Sequence, residues 1–322
     1  MRGLNELTSS NVKWCCDLQS DKLERMKKFY PLMRATGNYK EVLHDSDVQA
    51  VIVSTPASTH FRIVKDCLEE GKHVLVEKPF TIQCDQAEEL CRIARNVNKV
   101  LMVGHIYIYH PAVRKIKELI SNNGLGKIYY MYFVRTGFGP IRSDVNALWD
   151  LAPHDISMAL YLLGAEPKRV IATGTSYLQN NIEDVVTMTM YFPNNVMVIV
   201  HVSWLDAAKT RRLHIVGNKK MLVFDDVENL ETIRVFDKGI SREYNTLSYG
   251  EFRLQLRDGD IYVPRVEPIE PLKSACQHFI DCIQNGNEPI TNGENGLKVV
   301  RVLEAAQQSL KNNSAPAETY DI

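Results

Sequence analysis

Short apolar runs alternate with amphipathic segments in the first third of the chain. The runs predict strands at Val12–Cys16, Ala50–Ser54, His73–Val76 and Val100–His105. Segments with apolar residues at helical spacing predict helices at Leu23–Tyr30, Phe61–Glu70 and Gln83–Val97. Consecutive apolar residues are typical of strands that are buried on both faces of a parallel sheet. Strands that alternate with helices predict an α/β fold with a doubly wound parallel sheet.

The pattern changes after Pro111. Apolar and polar residues alternate with a period of two between positions 169 and 236, as in Val185–Phe192. This alternation is typical of an antiparallel sheet with one face covered by helices. Further helices are predicted within residues 112–122, 149–163, 272–284 and 296–310. We therefore expect two domains: residues 1–108, with the parallel sheet, and residues 109–322, with an α+β fold and a large, mostly antiparallel sheet.

Composition narrows the possible partners. Among the 322 residues 24% are charged, and the net charge of −1 gives no electrostatic reason to expect a nucleic acid or a membrane surface. No apolar run approaches the roughly 20 residues of a membrane span. The seven cysteines show no zinc-type spacing, so we expect reduced thiols, no metal site and a cytoplasmic location.

The strand at His73–Val76 runs directly into Glu77-Lys78-Pro79. Proline cannot extend a strand ladder and a lysine is costly to bury, so the strand must end there. Ligands of open α/β sheets bind just outside the carboxyl ends of the strands. Lys78 is therefore placed where chemistry would occur. An ordinary surface Lys-Pro turn is the alternative.

A second candidate cluster is Asp150-Leu151-Ala152-Pro153-His154-Asp155, which we expect at the start of a helix ended by Gly164, with Pro153 in the first turn. Asp150 and His154 are four residues apart and can share a helical face. An aspartate beside a histidine suits a general base near neutral pH. The alternative is that these carboxylates only favour the helix N-terminus, as we expect for Asp155.

The two clusters together suit hydride transfer from an alcohol, with a lysine on one wall of an interdomain cleft and a base on the other. Along nearly its whole length the chain resembles the Gfo/Idh/MocA family of NAD(P)-dependent oxidoreductases, through its E-K-P segment, its D-x-x-x-H segment and Gly104-His105. The resemblance implies a dinucleotide-binding first domain and a second domain for substrate binding and oligomerisation. It also implies that the catalytic residues are Lys78, His154 and Asp150. The residues that it implies on the cofactor side are Thr55, Pro56, His60, Glu77 and Lys78.

Residues 142–155 and 201–205 resemble the sugar and nucleotide-sugar branch of the family, which includes UDP-N-acetylglucosamine 3-dehydrogenases. We therefore expect a sugar or nucleotide-sugar substrate. The residues expected on the substrate side are His105, Arg135, Arg142 and Trp149. Arginine forks match phosphate and carboxylate groups, which also draws attention to Arg212, although each arginine could equally be an exposed charge beside a strand.

Asp17 bears on the choice of cofactor. A carboxylate at the end of the second strand of such a fold accepts hydrogen bonds from a ribose 2′-hydroxyl and repels a 2′-phosphate. Because no arginine or lysine follows it directly, we expect NAD, with NADP less favoured. An ordinary aspartate at a strand-end turn is the alternative.

The glycine-rich loop that normally opens this fold is missing. No G-x-G-x-x-G occurs, and Met1–Leu7 resembles the second half of the helix that would follow that loop. Either the natural start lies upstream, which we favour, or the chain is short, with weak dinucleotide binding and poor stability. The leading interpretation is a sugar or nucleotide-sugar dehydrogenase that forms a homodimer or homotetramer through the C-terminal sheet. The alternatives are a non-catalytic sugar-binding protein and an inositol or aldose dehydrogenase.

Overall fold

The apolar runs fold as strands throughout the chain. The structure, a computed structural model, describes residues 4, 7, 9–228, 230–244 and 252–319, so most of the helix tail expected at residues 1–10 lies outside it. The strands are β1 Trp14–Cys16, β2 Arg34–Thr36, β3 Ala50–Val53, β4 His73–Val76, β5 Leu101–Val103, β6 Ile128–Thr136, β7 Arg169–Thr175, β8 Val185–Phe192, β9 Val196–Ser203, β10 Thr210–Gly217, β11 Met221–Asp225, β12 Ile233–Phe236, β13 Gly239–Tyr244, β14 Phe252–Arg257, β15 Ile261–Tyr262 and β16 Ala317–Glu318.

The helices lie close to the periodic segments of the sequence. They are α1 Ser20–Phe29, α2 Tyr39–Leu43, α3 Ala57–Glu69, α4 Cys84–Asn96, α5 Pro111–Ser121, α6 Ala147–Leu163, α7 Pro271–Asn285 and α8 Gly293–Lys311, with 3₁₀ helices at Ile106–Tyr109 and Pro193–Asn195. Within the ranges that the structure covers, no helix is long and apolar enough to cross a membrane.

The chain divides into two compact units, and the first contains parallel strands joined by helices. In the described residues these strands form two sheets, β1-β2 and β3-β4-β5, and every pairing is parallel. Val74, Leu75 and Val76 of β4 are at most 5% exposed, as expected for a central strand. The expectation that β3 is buried on both faces is wrong, because Ala50, Val51 and Ile52 are half-buried on a strand that pairs only with β4 in the described part of the chain.

The first unit contains residues 1–109 and 269–300. Residues from the second stretch cover β5: Met102 forms a bridge to Asn292, and the backbone N–H of Val103 donates to the carbonyl of Thr291 at 2.7 Å. A single boundary near residue 108 would assign this stretch to the C-terminal domain. The chain instead returns to the first unit late in the sequence.

The second unit, residues 110–268 and 301–322, is built on a nine-stranded sheet in the order β15-β12-β11-β10-β6-β9-β8-β7-β16. All its neighbouring strands are antiparallel except β6 and β9, so the expected large, mostly antiparallel sheet is confirmed. Val186, Met188, Met190 and Phe192 alternate into the core, where α6 packs against β6, β8 and β9.

Helix α6 begins earlier than the sequence suggested. The side chain of Asn146 accepts a hydrogen bond from the backbone N–H of Trp149 at 3.2 Å and caps the helix before Ala147. Pro153 therefore lies inside the helix and not in its first turn, which corrects the expectation for that residue. The helix ends at Gly164, whose φ of 64° forms the expected left-handed cap.

Candidate functional site

Three segments follow the carboxyl ends of β3, β4 and β5 in the first unit. Val53 pairs with Val76, and Val76 pairs with Val103. Hydrogen bonds continue this register beyond the strands, from Glu77 N–H to the Val53 carbonyl at 2.8 Å and from Gly104 N–H to the Val76 carbonyl at 2.7 Å. Thr55-Pro56, Glu77-Lys78 and Gly104-His105 therefore emerge from the same edge of one parallel sheet, where α/β folds bind ligands.

Glu77 lies directly against Gly104. A Cβ atom at position 104 would stand 3.1 Å from the Oε2 of Glu77 and 3.4 Å from its Cα, so the missing side chain of glycine allows this close approach. Lys78 follows as a half-buried residue, and the Lys78–Pro79 peptide bond is cis. Glu77 is thus packed against Gly104 at the end of β4.

His105 is buried beside them, with 1% of its surface exposed. Neither ring nitrogen has a hydrogen-bond partner among the described residues. Burial lowers the pKa of His105 to about 3, and the positive charge of Lys78 adds to this effect. The imidazole is therefore neutral at physiological pH and offers one donor and one acceptor.

His60, expected on the cofactor side, is held inside the protein. It is 1% exposed, its Nδ1 lies 2.8 Å from the carbonyl oxygen of Pro79, and its Nε2 lies 2.8 Å from that of Thr55. Thr55 and Pro56 are exposed. The ring thus contacts the segments after β3 and β4, and not the surface.

Asp17 lies just beyond β1, where its backbone N–H donates to the carbonyl of Thr36 at 3.2 Å. Its Oδ1 accepts a hydrogen bond from the backbone N–H of Gln19 at 2.9 Å, and its side chain is 35% exposed. The Nζ of Lys22 lies 3.7 Å from Oδ2. The sequence did not indicate this contact, because Lys22 lies five residues after Asp17 and only the position of α1 places its ammonium near the carboxylate.

Asp150 and His154 lie on α6 in the second unit, one helical turn apart. The Oδ2 of Asp150 accepts a hydrogen bond from the indole Nε1 of Trp204 at 3.1 Å, and its Oδ1 lies 3.5 Å from the Nη1 of Arg142. His154 is half-buried. Trp204 follows β9 and is 1% exposed. The sequence drew attention to it only as part of the 201–205 segment and did not indicate its contact with Asp150.

Arg142 and Trp149 both make internal contacts. The guanidinium of Arg142 donates to both carboxylate oxygens of Asp144, at 2.9 and 2.6 Å. Trp149 is 8% exposed, and its indole N–H donates to Gln307 at 3.1 Å. Both residues lie close to Asp150 in sequence, and Arg142 also contacts it in space.

Arg135 lies in the core of the second unit. Its guanidinium makes a two-pronged contact with Asp155, Nε to Oδ2 at 3.0 Å and Nη2 to Oδ1 at 2.7 Å, with the residues 6% and 2% exposed. Burial raises the pKa of Asp155, and the charge of Arg135 opposes that rise. The expectation of a first-turn surface charge at Asp155 is therefore wrong. Arg212 pairs with Asp225, with Nε to Oδ2 at 2.9 Å.

Three features at the strand ends of the first unit can bind polar groups of a ligand. Asp17 presents a partly exposed carboxylate after β1, Thr55 and Pro56 form an exposed segment after β3, and His105 carries buried nitrogens that lack partners within the described residues. A carboxylate at this position can accept hydrogen bonds from a ribose hydroxyl, and an imidazole can exchange hydrogen bonds with a polar ligand group. No group of three or more histidine, cysteine or acidic side chains in the described ranges is placed to hold a metal ion.

Comparisons with known proteins match two segments of the chain to family models. Residues 6–105 match the family model described as "Oxidoreductase family, NAD-binding Rossmann fold", and residues 113–223 match the "GFO/IDH/MocA C-terminal domain".

Individual relatives differ in the compounds that their names specify. UDP-N-acetylglucosamine 3-dehydrogenase of Acidithiobacillus ferrooxidans is 31% identical over 195 residues, 60% of this chain and 60% of that protein. The scyllo-inositol 2-dehydrogenase (NADP⁺) IolW of Bacillus subtilis is 24% identical over 315 residues, 91% of this chain and 86% of that protein. The crystal structure of an aldose-aldose oxidoreductase from Caulobacter crescentus has a TM-score of 0.81 at 20% identity, over 99% of this chain and 94% of that one, and shows the shared fold.

Proposed function

Because the chain belongs to the GFO/IDH/MocA family of NAD(P)-dependent oxidoreductases, we propose that it transfers a hydride between NAD and a hydroxyl of a sugar or nucleotide sugar. One observation carries this proposal. Glu77, Lys78 and His105 emerge side by side from a parallel sheet within the segment that matches the NAD-binding family model. This edge is where α/β folds bind ligands.

The catalytic residues that we propose are Lys78, Asp150 and His154. When bound, NAD would supply the acceptor for the hydride. His154 takes the hydroxyl proton as the general base. We propose that the negative charge of Asp150, which lies one helical turn earlier and contacts Trp204 and Arg142, supports the base. The Lys78 ammonium stabilises the charge that develops on the oxygen.

The proposed cofactor residues are Asp17, Thr55, Pro56, Glu77 and Lys78. The carboxylate of Asp17 favours a ribose 2′-hydroxyl over a 2′-phosphate, which supports NAD. The ammonium of Lys22, 3.7 Å away, partly offsets this preference because it would attract a phosphate. Lys22→Ala should therefore increase the preference for NAD over NADP, which titration with both dinucleotides measures.

On the substrate side we propose His105, Arg142 and Trp149. A neutral imidazole suits sugar hydroxyls, which both donate and accept hydrogen bonds. The similarity to a UDP-N-acetylglucosamine 3-dehydrogenase supports a nucleotide sugar. Arg135, also expected here, is committed to Asp155 in the core, so its geometry favours a supporting role over substrate contact.

The test is a titration with NAD, followed by an assay of NADH formation with UDP-N-acetylglucosamine, inositols and free aldoses. We expect binding of NAD and turnover of a nucleotide sugar. Turnover of an inositol or an aldose alone would favour the second candidate, which the similarity to an inositol dehydrogenase supports. No binding at millimolar NAD would favour a non-catalytic sugar-binding protein.

The site assignment has its own test. Lys78→Ala and His154→Ala should each lower kcat by about 100-fold or more, because general acid–base groups contribute factors of that size. A loss of only a few-fold would reject the assignment.

We also propose a homodimer or homotetramer that forms through the outer face of the C-terminal sheet, the face opposite α6. On this face Tyr132, Tyr191, Met197 and Ile199 are half-buried in the single chain. A cytoplasmic location is part of the proposal.

A further inference from the structure

His60 connects two segments at the edge of the first unit's parallel sheet. It lies in the first turn of α3, and its two ring nitrogens each stand 2.8 Å from a backbone carbonyl oxygen, that of Pro79 and that of Thr55. Pro79 follows Lys78 after β4, and Thr55 follows β3. The ring therefore joins the lysine-bearing turn to the neighbouring exposed segment.

Other contacts fix the turn on both sides of Pro79. Upstream, the Glu77 N–H donates to the Val53 carbonyl at 2.8 Å. Downstream, Phe80 packs so closely on Gly296 that a Cβ there would stand 3.0 Å from its Cδ1. The carbonyl between these anchors is the one that His60 holds.

A carbonyl oxygen only accepts, so the hydrogen bond requires a ring N–H. A neutral imidazole satisfies one of the two carbonyls and an imidazolium satisfies both. Substitutions can test the two contacts separately. The amide nitrogen of an asparagine can take the place of Nδ1, and the amide nitrogen of a glutamine can take the place of Nε2.

We propose that His60 is a positioning residue. Through the Pro79 carbonyl it positions Lys78, and through the Thr55 carbonyl it positions Thr55-Pro56, the segment proposed to bind the cofactor. This inference rests on the proposed function, because Lys78 and Thr55 have their roles there. It also replaces the expected direct contact of His60 with the cofactor.

The kinetic test compares His60→Asn with His60→Gln. His60→Asn can still donate to the Pro79 carbonyl but no longer contacts the Thr55 carbonyl, so the KM for NAD should rise about fivefold while kcat stays within about twofold. His60→Gln can still donate to the Thr55 carbonyl but no longer contacts the Pro79 carbonyl, so kcat should fall about tenfold with little change in the KM for NAD. His60→Leu should show both defects.

Hydrogen exchange provides a readout that needs no turnover. In His60→Gln the backbone amides of residues 77–82 should exchange faster, and in His60→Asn those of residues 54–57 should. If the protein turns over no sugar, the proposed function fails, but the exchange pattern still decides whether His60 holds the two segments.

His73→Leu is the matched control. Its Nδ1 accepts a hydrogen bond from the Val100 N–H at 3.0 Å, at the amino end of β4 and so at the opposite edge of the sheet. This variant should lose stability without changing exchange at 54–57 or 77–82. The inference is overturned if His60→Asn and His60→Gln give the same profile, or if His60→Leu exchanges like the parent protein.

Discussion

At the scale of single residues, the environment of His105 gives a prediction about pH. Its pKa is about 3 in the folded protein because of burial and the charge of Lys78. In the unfolded chain a histidine titrates near its ordinary value of about 6.5. The unfolded state therefore binds the additional proton between these values, so the folded protein loses stability as the pH falls from about 6.5 towards 3.

His105→Leu should remove this dependence. The contribution amounts to about 2 kcal/mol between neutral pH and about pH 5, since each pKa unit corresponds to roughly 1.4 kcal/mol. Urea unfolding of the parent and the variant at both pH values measures it. His44→Leu, which replaces an exposed histidine of the same unit, should lose as much stability on acidification as the parent protein. An equal acid sensitivity in His105→Leu would contradict the prediction.

The buried pair of Arg135 and Asp155 gives a second prediction. Asp155→Ala leaves a guanidinium in the core without this carboxylate, which should cost about 3–5 kcal/mol of unfolding free energy. The double variant Arg135→Met, Asp155→Leu should recover much of that loss, because neither charge then has to be buried. Glu118→Ala removes the partner in the exposed pair with Lys115 and should cost at most about 1 kcal/mol. Comparable losses for Asp155→Ala and Glu118→Ala in urea unfolding would show that burial does not matter here.

These residues show what a sequence pattern can and cannot identify. Lys78 was predicted at a strand end because a lysine and a proline directly follow an apolar run. The partners of Arg135, Asp150 and Asp17 were not predicted. Each pairing depends on side chains that the fold brings together, Asp155 and Trp204 among them, and periodicity carries no information about such contacts.

At the scale of elements, the start of α6 depends on Asn146. Its side chain caps the helix at the Trp149 N–H and also donates to Glu183 and Gln307. Asn146→Ala should lower the free energy of unfolding by about 2 kcal/mol, and Asn146→Ser, which restores a capping oxygen, should regain about half. Asn38→Ala removes an exposed cap from α2 and should cost less. If Asn146→Ser were no better than Asn146→Ala, the cap would contribute little.

Elements themselves were largely predictable where the period was strong. The alternation at Val185–Phe192 predicted the strand β8, and Gly164 ended α6 as expected. The start of α6 was misplaced because Pro153 resembles a first-turn proline, whereas Asn146 begins the helix before it. The burial of β3 was overestimated because an apolar run does not show how many neighbours a strand has.

At the scale of the whole molecule, the sequence indicated the two fold types but not the path of the chain between units. Residues 269–300 return to the first unit, where Thr291 and Asn292 pair with β5. Their helical periodicity is compatible with either unit. Only the contacts with Met102 and Val103 assign them, and such long-range pairing has no local pattern.

The last prediction concerns assembly through the outer face of the nine-stranded sheet. Ile199 lies near the middle of this face, beside Tyr132 on β6 and Thr189 on β8. A partner that covers the face would bury Ile199, so Ile199→Arg would place an unpaired charge in the interface and should dissociate the oligomer. Leu230→Arg, at a loop residue that is 89% exposed, is the matched control and should leave assembly unchanged. Sedimentation velocity distinguishes the species, and circular dichroism verifies that each variant is folded. A monomeric parent protein, or an oligomer that persists in folded Ile199→Arg, would rule out this face as the interface.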